Sequence, residues 1–279
     1  MRGDARSAGL DGASLDGASL DGASLDGASL GEASLGEASL GEASLDGLRL
    51  DAGDALFLDF DGTLAELGPD PDAIRLPEPT LAALSRLAAR LEGALALISG
   101  RDLRDLAART PAGVWRAGGH GLEVAAPFAP LPPQPAPPPE AVLAPLRALD
   151  HPGLRLELKG PVAALHYRAA PEAEAACLAA ADRAAAAAPG LVVQAGKMVV
   201  EVKPASAHKG RTLRRMMAET PFAGRRPVML GDDATDEDAI AAAEALGGIG
   251  VKVGAGASAA RLRAPDPAFV RAWIAREAG

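Results

Sequence analysis

Short apolar runs alternate with helical periodicities along most of the chain after residue 50. The apolar runs at 55–60, 94–98 and 227–230 predict buried strands, because strands covered on both faces lack polar alternation. Leucines three and four residues apart over 79–91 predict an amphipathic helix. The same patterns predict strands at 114–117 and 249–253 and helices at 102–109, 209–219, 236–246 and 267–277. Such alternation is typical of an α/β fold, a doubly wound core on a parallel sheet.

A different pattern lies in the middle of the chain. The proline-rich stretch 128–140 suits neither a helix nor a sheet interior and predicts a semi-rigid linker. Beyond it we predict helices at 141–149 and 172–188 and strands at 154–159, 162–168, 191–194 and 198–202. This order suits a small α+β layer. We therefore predict that a cap of α+β structure, residues 127–202, is inserted into an α/β core formed by 51–126 and 203–279.

The first fifty residues are a repeat. Ala-Ser-Leu recurs every five residues from Ala13 to Leu45, with Asp-Gly or Gly-Glu between the copies. The segment resembles the pentapeptide-repeat family, whose members wind into a four-sided β-helix. A solenoid unit buries its apolar face only against stacked neighbours, and this run is short. We expect residues 1–50 to be a low-complexity extension, disordered or only partly ordered, outside the folded core.

Composition narrows the choice of partners and compartment. The formal net charge of −9 argues against nucleic-acid binding, which normally requires a basic surface. The single cysteine, Cys177, allows no disulfide within the chain, which suits a reducing cytoplasm. No apolar run is long enough to span a bilayer. We therefore expect a cytoplasmic protein with neither nucleic acid nor membrane as a partner.

Reactive residues stand directly after the predicted strands. Asp59 and Asp61 end the first strand, and Ser99 follows the second. Lys209 opens the first helix after the cap. Because open parallel sheets bind ligands beyond the carboxyl ends of their strands, we expect these groups to meet at one edge of the sheet.

An acidic run follows the strand at 227–230. Residues 232–238 hold five carboxylates in seven positions. Like charges crowded together are costly without a cation, so the run indicates a metal site. Oxygen ligands of this kind suit Mg²⁺. The candidate metal ligands are Asp59, Asp61, Asp232, Asp233 and Asp236.

These groups match the requirements of phosphoryl transfer. A phosphate monoester repels nucleophiles, so its hydrolysis needs a cation and positive donors on the transferring oxygens. Asp59 is the candidate nucleophile and would form an aspartyl-phosphate. Asp61 is placed to protonate the leaving sugar oxygen and then to deprotonate water. Ser99 could donate a hydrogen bond to a phosphate oxygen, and Lys209 would pair with phosphate and Asp59.

Several stretches resemble a known family. Asp59-Phe60-Asp61-Gly62-Thr63, Ser99-Gly100-Arg101, Lys209 and Gly231-Asp232-Asp233 look like the four motifs of the haloacid-dehalogenase (HAD) phosphatase superfamily, in order. More narrowly, residues 230–239 resemble the trehalose-6-phosphate phosphatase version of the fourth motif. The resemblance implies a HAD-like core with a cap, Mg²⁺ as cofactor, trehalose 6-phosphate as substrate and a trehalose-6-phosphate synthase in the same pathway.

The resemblance also implies that polar residues of the cap hold the sugar. Carried over by position, the substrate-binding residues would be Arg101, His120, Lys159, Arg168, Lys197 and Glu201. Two positions depart from the family pattern. Gly119 stands where the family usually carries a carboxylate, and Leu158 stands where an acidic residue is common. The class of reaction therefore follows more firmly than the identity of the sugar.

Three alternatives remain open from the sequence. One is a phosphatase of the same superfamily that acts on another sugar phosphate. Another is a phosphotransferase or mutase, since the first half-reaction is the same. The third belongs to a different class, a binding protein whose function resides in the repeats and whose core is not catalytic.

Overall fold

The computed structural model describes residues 43–68 and 70–279. Predictions for the repeats before residue 43 lie outside the described residues. The strands are β1 (Ala43–Ser44), β2 (Asp54–Leu58), β3 (Leu95–Ile98), β4 (Trp115–Gly118), β5 (Glu123–Ala125), β6 (Arg155–Lys159), β7 (Val162–His166), β8 (Leu191–Gly196), β9 (Val199–Pro204), β10 (Arg226–Gly231), β11 (Ile249–Val253) and β12 (Leu262–Ala264). The α-helices are α1 (Glu78–Arg90), α2 (Leu103–Arg109), α3 (Glu140–Arg147), α4 (Glu174–Ala186), α5 (Lys209–Met217), α6 (Ala234–Ala245) and α7 (Pro267–Ala278).

An eight-stranded sheet forms the core, in the order β1-β12-β11-β10-β2-β3-β4-β5. Adjacent strands of this sheet run parallel, except for β4 and β5, which are antiparallel. Helix α1 packs against α7, and α5 packs against α6. The prediction of an α/β core with a mainly parallel sheet is confirmed. Among the described helices, none is long and apolar enough to cross a membrane.

The central strands β2 and β3 are apolar apart from Asp54, because both faces of the sheet are covered. Every residue of β2 and β3 is buried. Phe57 of β2 stacks on Phe222 with 5.2 Å between ring centroids. Burial of this kind fixes the strands rigidly, so the loops at their carboxyl ends are held in place.

A second, four-stranded sheet lies between α3 and α5 in sequence, in the order β6-β7-β9-β8, with all neighbours antiparallel. It has its own apolar core with α3 and α4, which includes Val142, Leu165, Tyr167 and Cys177. Burial raises the pKa of the Cys177 thiol, which disfavours the nucleophilic thiolate. Cys177 therefore serves to pack this core.

The last repeat of the extension packs on the core. Ala43 and Ser44 form β1, which pairs with β12 at the edge of the main sheet. Leu45, Leu48 and Leu50 are buried in the main apolar core. The sequence assigned residues up to 50 to an extension outside the core, whereas the structure places 43–50 against it.

Candidate active site

The predicted reactive residues meet at the carboxyl edge of the main sheet. Asp59 follows β2, Ser99 follows β3 and Asp232 follows β10, while Lys209 begins α5. Parallel strands end at the same edge, which brings these distant positions together. They line one cavity of about 670 Å³ that extends beneath the second sheet.

A buried ammonium joins two carboxylates at the base of this cavity. Lys209 Nζ lies 2.7 Å from Asp59 Oδ1 and 2.7 Å from Asp236 Oδ1. Burial alone would lower the pKa of Lys209, but Asp236 and Asp59 raise it well above the usual value. Lys209 is therefore a fixed positive charge beside the candidate nucleophile.

The acids outnumber that one ammonium. Burial, with repulsion from Asp233 and Asp232, raises the pKa of Asp59 to about 7 against the opposing effect of Lys209. Burial also raises the pKa of Asp232 to about 7, and the nearby Asp236 and Asp233 add to this. A divalent cation would relieve this repulsion and favour the ionised forms. The electrostatics therefore favour a bound cation.

The donor set fits a hard cation. Carboxylate oxygens of Asp59, Asp232 and Asp236 all lie within 4.8 Å of one another. Oxygen donors at this spacing suit Mg²⁺, which binds few protein carboxylates and keeps several waters. Asp61 is not in this group among the described residues, and its side chain has a different partner.

Two of the predicted ligands also build the start of α6. Asp233 Oδ1 accepts hydrogen bonds from the backbone N–H of Thr235 at 2.8 Å and of Asp236 at 3.0 Å, which caps the helix. Asp236 Oδ2 accepts from the N–H of Asp232 at 3.1 Å and of Asp233 at 3.2 Å. Asp236 Oδ2 thus accepts two backbone hydrogen bonds, whereas its Oδ1 accepts only from Lys209. Direct ligation of the cation by Asp233 or Asp236 stays a prediction.

Arg101 holds the candidate acid, Asp61. Its Nε and one terminal nitrogen lie 2.7 Å from the two Asp61 oxygens, and the other terminal nitrogen lies 2.7 Å from Asp105. The guanidinium also stacks over Phe60, 5.2 Å from the ring centroid. Arg101 lines the cavity as predicted, but its donors are committed to Asp61 and Asp105 and not left free for a sugar.

The predicted sugar-binding residues line the same cavity: His120, Lys159, Arg168, Lys197 and Glu201. His120 Nε2 lies 2.9 Å from Glu201 Oε2 and so joins the main sheet's edge to β9. Although burial alone would raise it, the hydrogen bond with His120 and the charge of Lys159 lower the pKa of Glu201 to about 2. Glu201 is therefore an ionised acceptor facing the cavity.

Comparison with known proteins identifies the family. The trehalose-phosphatase family model matches residues 57–130 and 144–267, well over half of the chain. The chain belongs to the trehalose-phosphatase family. A protein named trehalose-6-phosphate phosphatase from Escherichia coli K12 is 42% identical over 237 residues, which covers 81% of this chain and 86% of that protein. A protein named probable trehalose-phosphate phosphatase from Sinorhizobium fredii is 39% identical and covers 72% of this chain and 77% of its own length.

Solved structures agree on the fold. The C-terminal domain of a Candida albicans trehalose-6-phosphate phosphatase is similar with a TM-score of 0.69 at 22% identity, and covers 81% of this chain and 92% of that one. A haloacid-dehalogenase-like hydrolase from Bacteroides thetaiotaomicron is similar with a TM-score of 0.57 at 16% identity, covering 80% and 98%. The predicted HAD-like fold is confirmed. A pentapeptide-repeat model matches eight copies over residues 8–47, which confirms the resemblance of the N-terminal segment.

As a member of the trehalose-phosphatase family, this chain is an enzyme, a phosphatase. Its cavity is also lined by residues that the sequence did not single out. Arg155, Glu157, His166 and Gln194 also line the cavity. Glu157 Oε2 lies 2.8 Å from His166 Nε2. The signal was the alternation along β6, where positions 155, 157 and 159 share one face.

The same alternation accounts for one of the two departures from the family pattern. Leu158 lies on the opposite face of β6 from Glu157 and Lys159, and it does not line the cavity in the described structure. Gly119 is buried at φ +56 and is also not a lining residue among those described.

We expect Gly62→Ala to impair the cation site of this trehalose-phosphatase. Gly62 has φ +84, and a Cβ there would lie 2.2 Å from Asp232 Oδ2, so Asp232 must move. The expected result is a Mg²⁺ affinity lower by about 10-fold or more, measured by calorimetric titration of the metal-free protein.

The matched control is Gly190→Ala. Gly190 has φ +76 but open space around the added Cβ, so it carries the same left-handed strain of about 1 kcal/mol without the clash. Equal Mg²⁺ affinity of the two variants would show that the approach of Gly62 to Asp232 is not important for the site.

Proposed function

We propose that this enzyme hydrolyses trehalose 6-phosphate to trehalose and phosphate, with Mg²⁺ as cofactor and Asp59 as covalent nucleophile. The observation that carries the proposal is the buried cluster in which Lys209 Nζ lies 2.7 Å from Asp59 Oδ1. Asp232 and polar residues of the second sheet line the same cavity. The relative from Escherichia coli that is named for this substrate supports the choice of sugar phosphate.

The reaction takes place in two displacements. The Asp59 carboxylate attacks phosphorus, a bond forms between its oxygen and phosphorus, and the bond from phosphorus to the sugar oxygen breaks. Asp61 supplies the proton that the leaving sugar oxygen needs. In the second step Asp61 takes a proton from water as that water attacks phosphorus. Phosphate leaves and Asp59 is regenerated.

The surrounding residues reduce charge repulsion during both steps. Asp59 and Asp232 would hold Mg²⁺, which would supply positive charge beside the transferring phosphoryl group. Lys209 adds a fixed positive charge next to Asp59. Ser99, which is 1% exposed, presents its hydroxyl at the end of β3 and is placed to donate to a phosphate oxygen.

Asp61 must change partners for this mechanism to proceed. Both of its oxygens accept hydrogen bonds from Arg101 in the structure. Proton transfer to the sugar therefore requires one of these bonds to be exchanged for the leaving oxygen. Arg101 remains attached to Asp105 during such an exchange, so it can guide the carboxylate back.

The cap supplies hydrogen-bonding groups that suit a polyhydroxylated ligand. Lys159 and Glu201 are 3.8 Å apart, and each offers a charged donor or acceptor to sugar hydroxyls. Sites built from such groups discriminate strongly against ligands that leave them unpaired. The substrate itself is the product of a glucosyl transfer, so we propose that a trehalose-6-phosphate synthase in the cytoplasm supplies it.

A panel of sugar phosphates tests the proposal. Phosphate release from trehalose 6-phosphate is expected to exceed that from glucose 6-phosphate or sucrose 6-phosphate by about 10²-fold in kcat/KM. The second glucose ring satisfies polar groups of the cap, whereas glucose 6-phosphate lacks a second ring and sucrose 6-phosphate carries fructose in its place. Chelation with EDTA is expected to abolish release, and added Mg²⁺ to restore it.

The panel also separates the alternatives. Similar kcat/KM values for all sugar phosphates would replace trehalose 6-phosphate by a broader substrate class. Consumption of substrate without release of inorganic phosphate, in the presence of a second sugar, would indicate a phosphotransferase. Full activity after EDTA treatment would contradict the role of the cation.

A further inference from the structure

Another buried lysine, Lys252, contacts the acidic run of residues 232–238. Lys252 lies near the end of β11 and is only 5% exposed. In the sheet it is paired with Gly231, the residue directly before Asp232. Its burial is unusual, because lysine is almost never fully buried without a specific partner.

Lys252 has two partners, and one is the backbone of Asp232. Its Nζ donates a hydrogen bond of 2.7 Å to the carbonyl oxygen of Asp232. The same Nζ lies 3.3 Å from Glu237 Oε1 on α6. Glu237 is held in turn by Ser258, whose hydroxyl donates to Glu237 Oε2 at 3.0 Å. The ammonium is thus fixed between a strand end, a helix and a loop.

These contacts hold the peptide groups on both sides of Asp232. Its backbone N–H donates to Asp236 Oδ2 at 3.1 Å, and its carbonyl accepts from Lys252. With both peptide groups fixed, the direction of the Cα–Cβ bond is fixed as well. A carboxylate oxygen of Asp232 lies within 4.8 Å of one of Asp59. The Thr63 hydroxyl donates to Asp232 Oδ1 at 3.4 Å.

We propose that Lys252 is a positioning residue for the cation site, which holds the Asp232 carbonyl so that the Asp232 carboxylate faces Asp59. The inference rests on the proposed function only in taking Mg²⁺ as the cation. Partners that orient a metal ligand without touching the metal commonly contribute as much to binding as a weak ligand does.

Positioning and charge make opposite predictions for this residue. The ammonium repels a nearby cation, so removing its charge alone would strengthen Mg²⁺ binding. Removing its hydrogen bond frees the Asp232 peptide and weakens Mg²⁺ binding. If positioning dominates, Lys252→Met is expected to lower Mg²⁺ affinity by about 10-fold to 100-fold.

The experiment is a calorimetric Mg²⁺ titration of the full-length, metal-free protein, with the melting temperature of each metal-free variant measured in parallel. Glu237→Gln is the matched control, since it removes the carboxylate partner of Lys252 but leaves the bond to the Asp232 carbonyl. Its Mg²⁺ affinity is expected to stay close to that of the wild type. If Lys252→Met does not fold, Lys252→Gln, which keeps a polar group, is titrated in its place. The same loss of Mg²⁺ affinity is expected.

The outcomes separate the two proposals. Unchanged or tighter Mg²⁺ binding by the Lys252 variants, with normal binding by the wild type, overturns the positioning role and leaves the proposed function intact. An equal loss in Glu237→Gln also overturns it, because the effect would then come from the ion pair. Absence of Mg²⁺ binding by the wild type would instead contradict the cofactor of the proposed function.

Discussion

Asp59→Asn is expected to lower the rate of phosphate release by about 10⁴-fold or more, because the amide cannot attack phosphorus or form the phosphoenzyme. The substitution also removes a carboxylate from the cation site, so Mg²⁺ affinity should fall with it. Steady-state phosphate release at saturating substrate and Mg²⁺ measures the first effect. Mass spectrometry of acid-quenched protein detects the phosphoenzyme, since only the wild type should carry a phosphoryl group.

The fold should survive this change. The pKa of Asp59 is raised to about 7, above its unfolded value, so the folded state favours the protonated and uncharged form. Stability of the metal-free protein therefore falls as pH rises from about 4 to 7, where the unfolded state has lost this proton and the folded state still holds it. At pH 8 the wild type carries the whole of this cost, and a neutral amide avoids it. We expect the melting temperature of metal-free Asp59→Asn at pH 8 to be no lower than that of the wild type.

Asp182→Asn is the matched control, since Asp182 is exposed on α4 and does not line the cavity in the described structure. It should leave phosphate release unchanged. Activity of Asp59→Asn within about 10-fold of the wild type would exclude Asp59 as the nucleophile, because loss of a covalent catalyst costs far more.

Leu45→Ala is expected to destabilise the enzyme by about 3 kcal/mol, within the range of 2–5 for a buried leucine. Leu45 is fully buried in the main core although it belongs to the last Ala-Ser-Leu repeat. Its neighbours are fixed by specific contacts: Trp273 Nε1 donates to the Leu48 carbonyl at 3.1 Å, and Glu277 accepts from the Leu50 N–H at 2.9 Å. A urea unfolding curve measures the change.

The control is Leu246→Ala, at a leucine that is 45% exposed, for which we expect about 0.5 kcal/mol or less. A truncation that removes everything up to Leu50 should destabilise more than Leu45→Ala alone, since it also removes β1 and two further buried leucines. A Leu45→Ala variant as stable as the wild type would contradict the integration of this segment into the core.

Most of the core could be predicted because its strands are buried on both faces. The continuous apolar run at 55–58, which forms all of β2 after Asp54, can be recognised without any knowledge of its neighbours. Strands β5 and β12 were not predicted, since each has three residues and carries a charged side chain, Glu123 or Arg263. Their pairing at or near the sheet edge, not their composition, makes them strands.

The site was predictable where motifs follow strands and unpredictable where partners are distant. The pairing of Arg101 with Asp61 spans 40 residues, and that of Lys252 with Asp232 spans 20. The second depends on the register of β10 and β11, which no local pattern encodes. Likewise, the exclusion of Leu158 from the cavity depends on which face of β6 the core covers.

The packing of the last repeat on the core has a consequence for how the number of repeats can change. The unit that packs on the core, Ala43 to Gly47, shares its Ala-Ser-Leu with the units before it. Adding or removing whole fifteen-nucleotide units upstream therefore leaves the same Ala-Ser-Leu before Leu48, with two residues between them. The array can lengthen or shorten over generations while the edge of the catalytic domain keeps an identical covering.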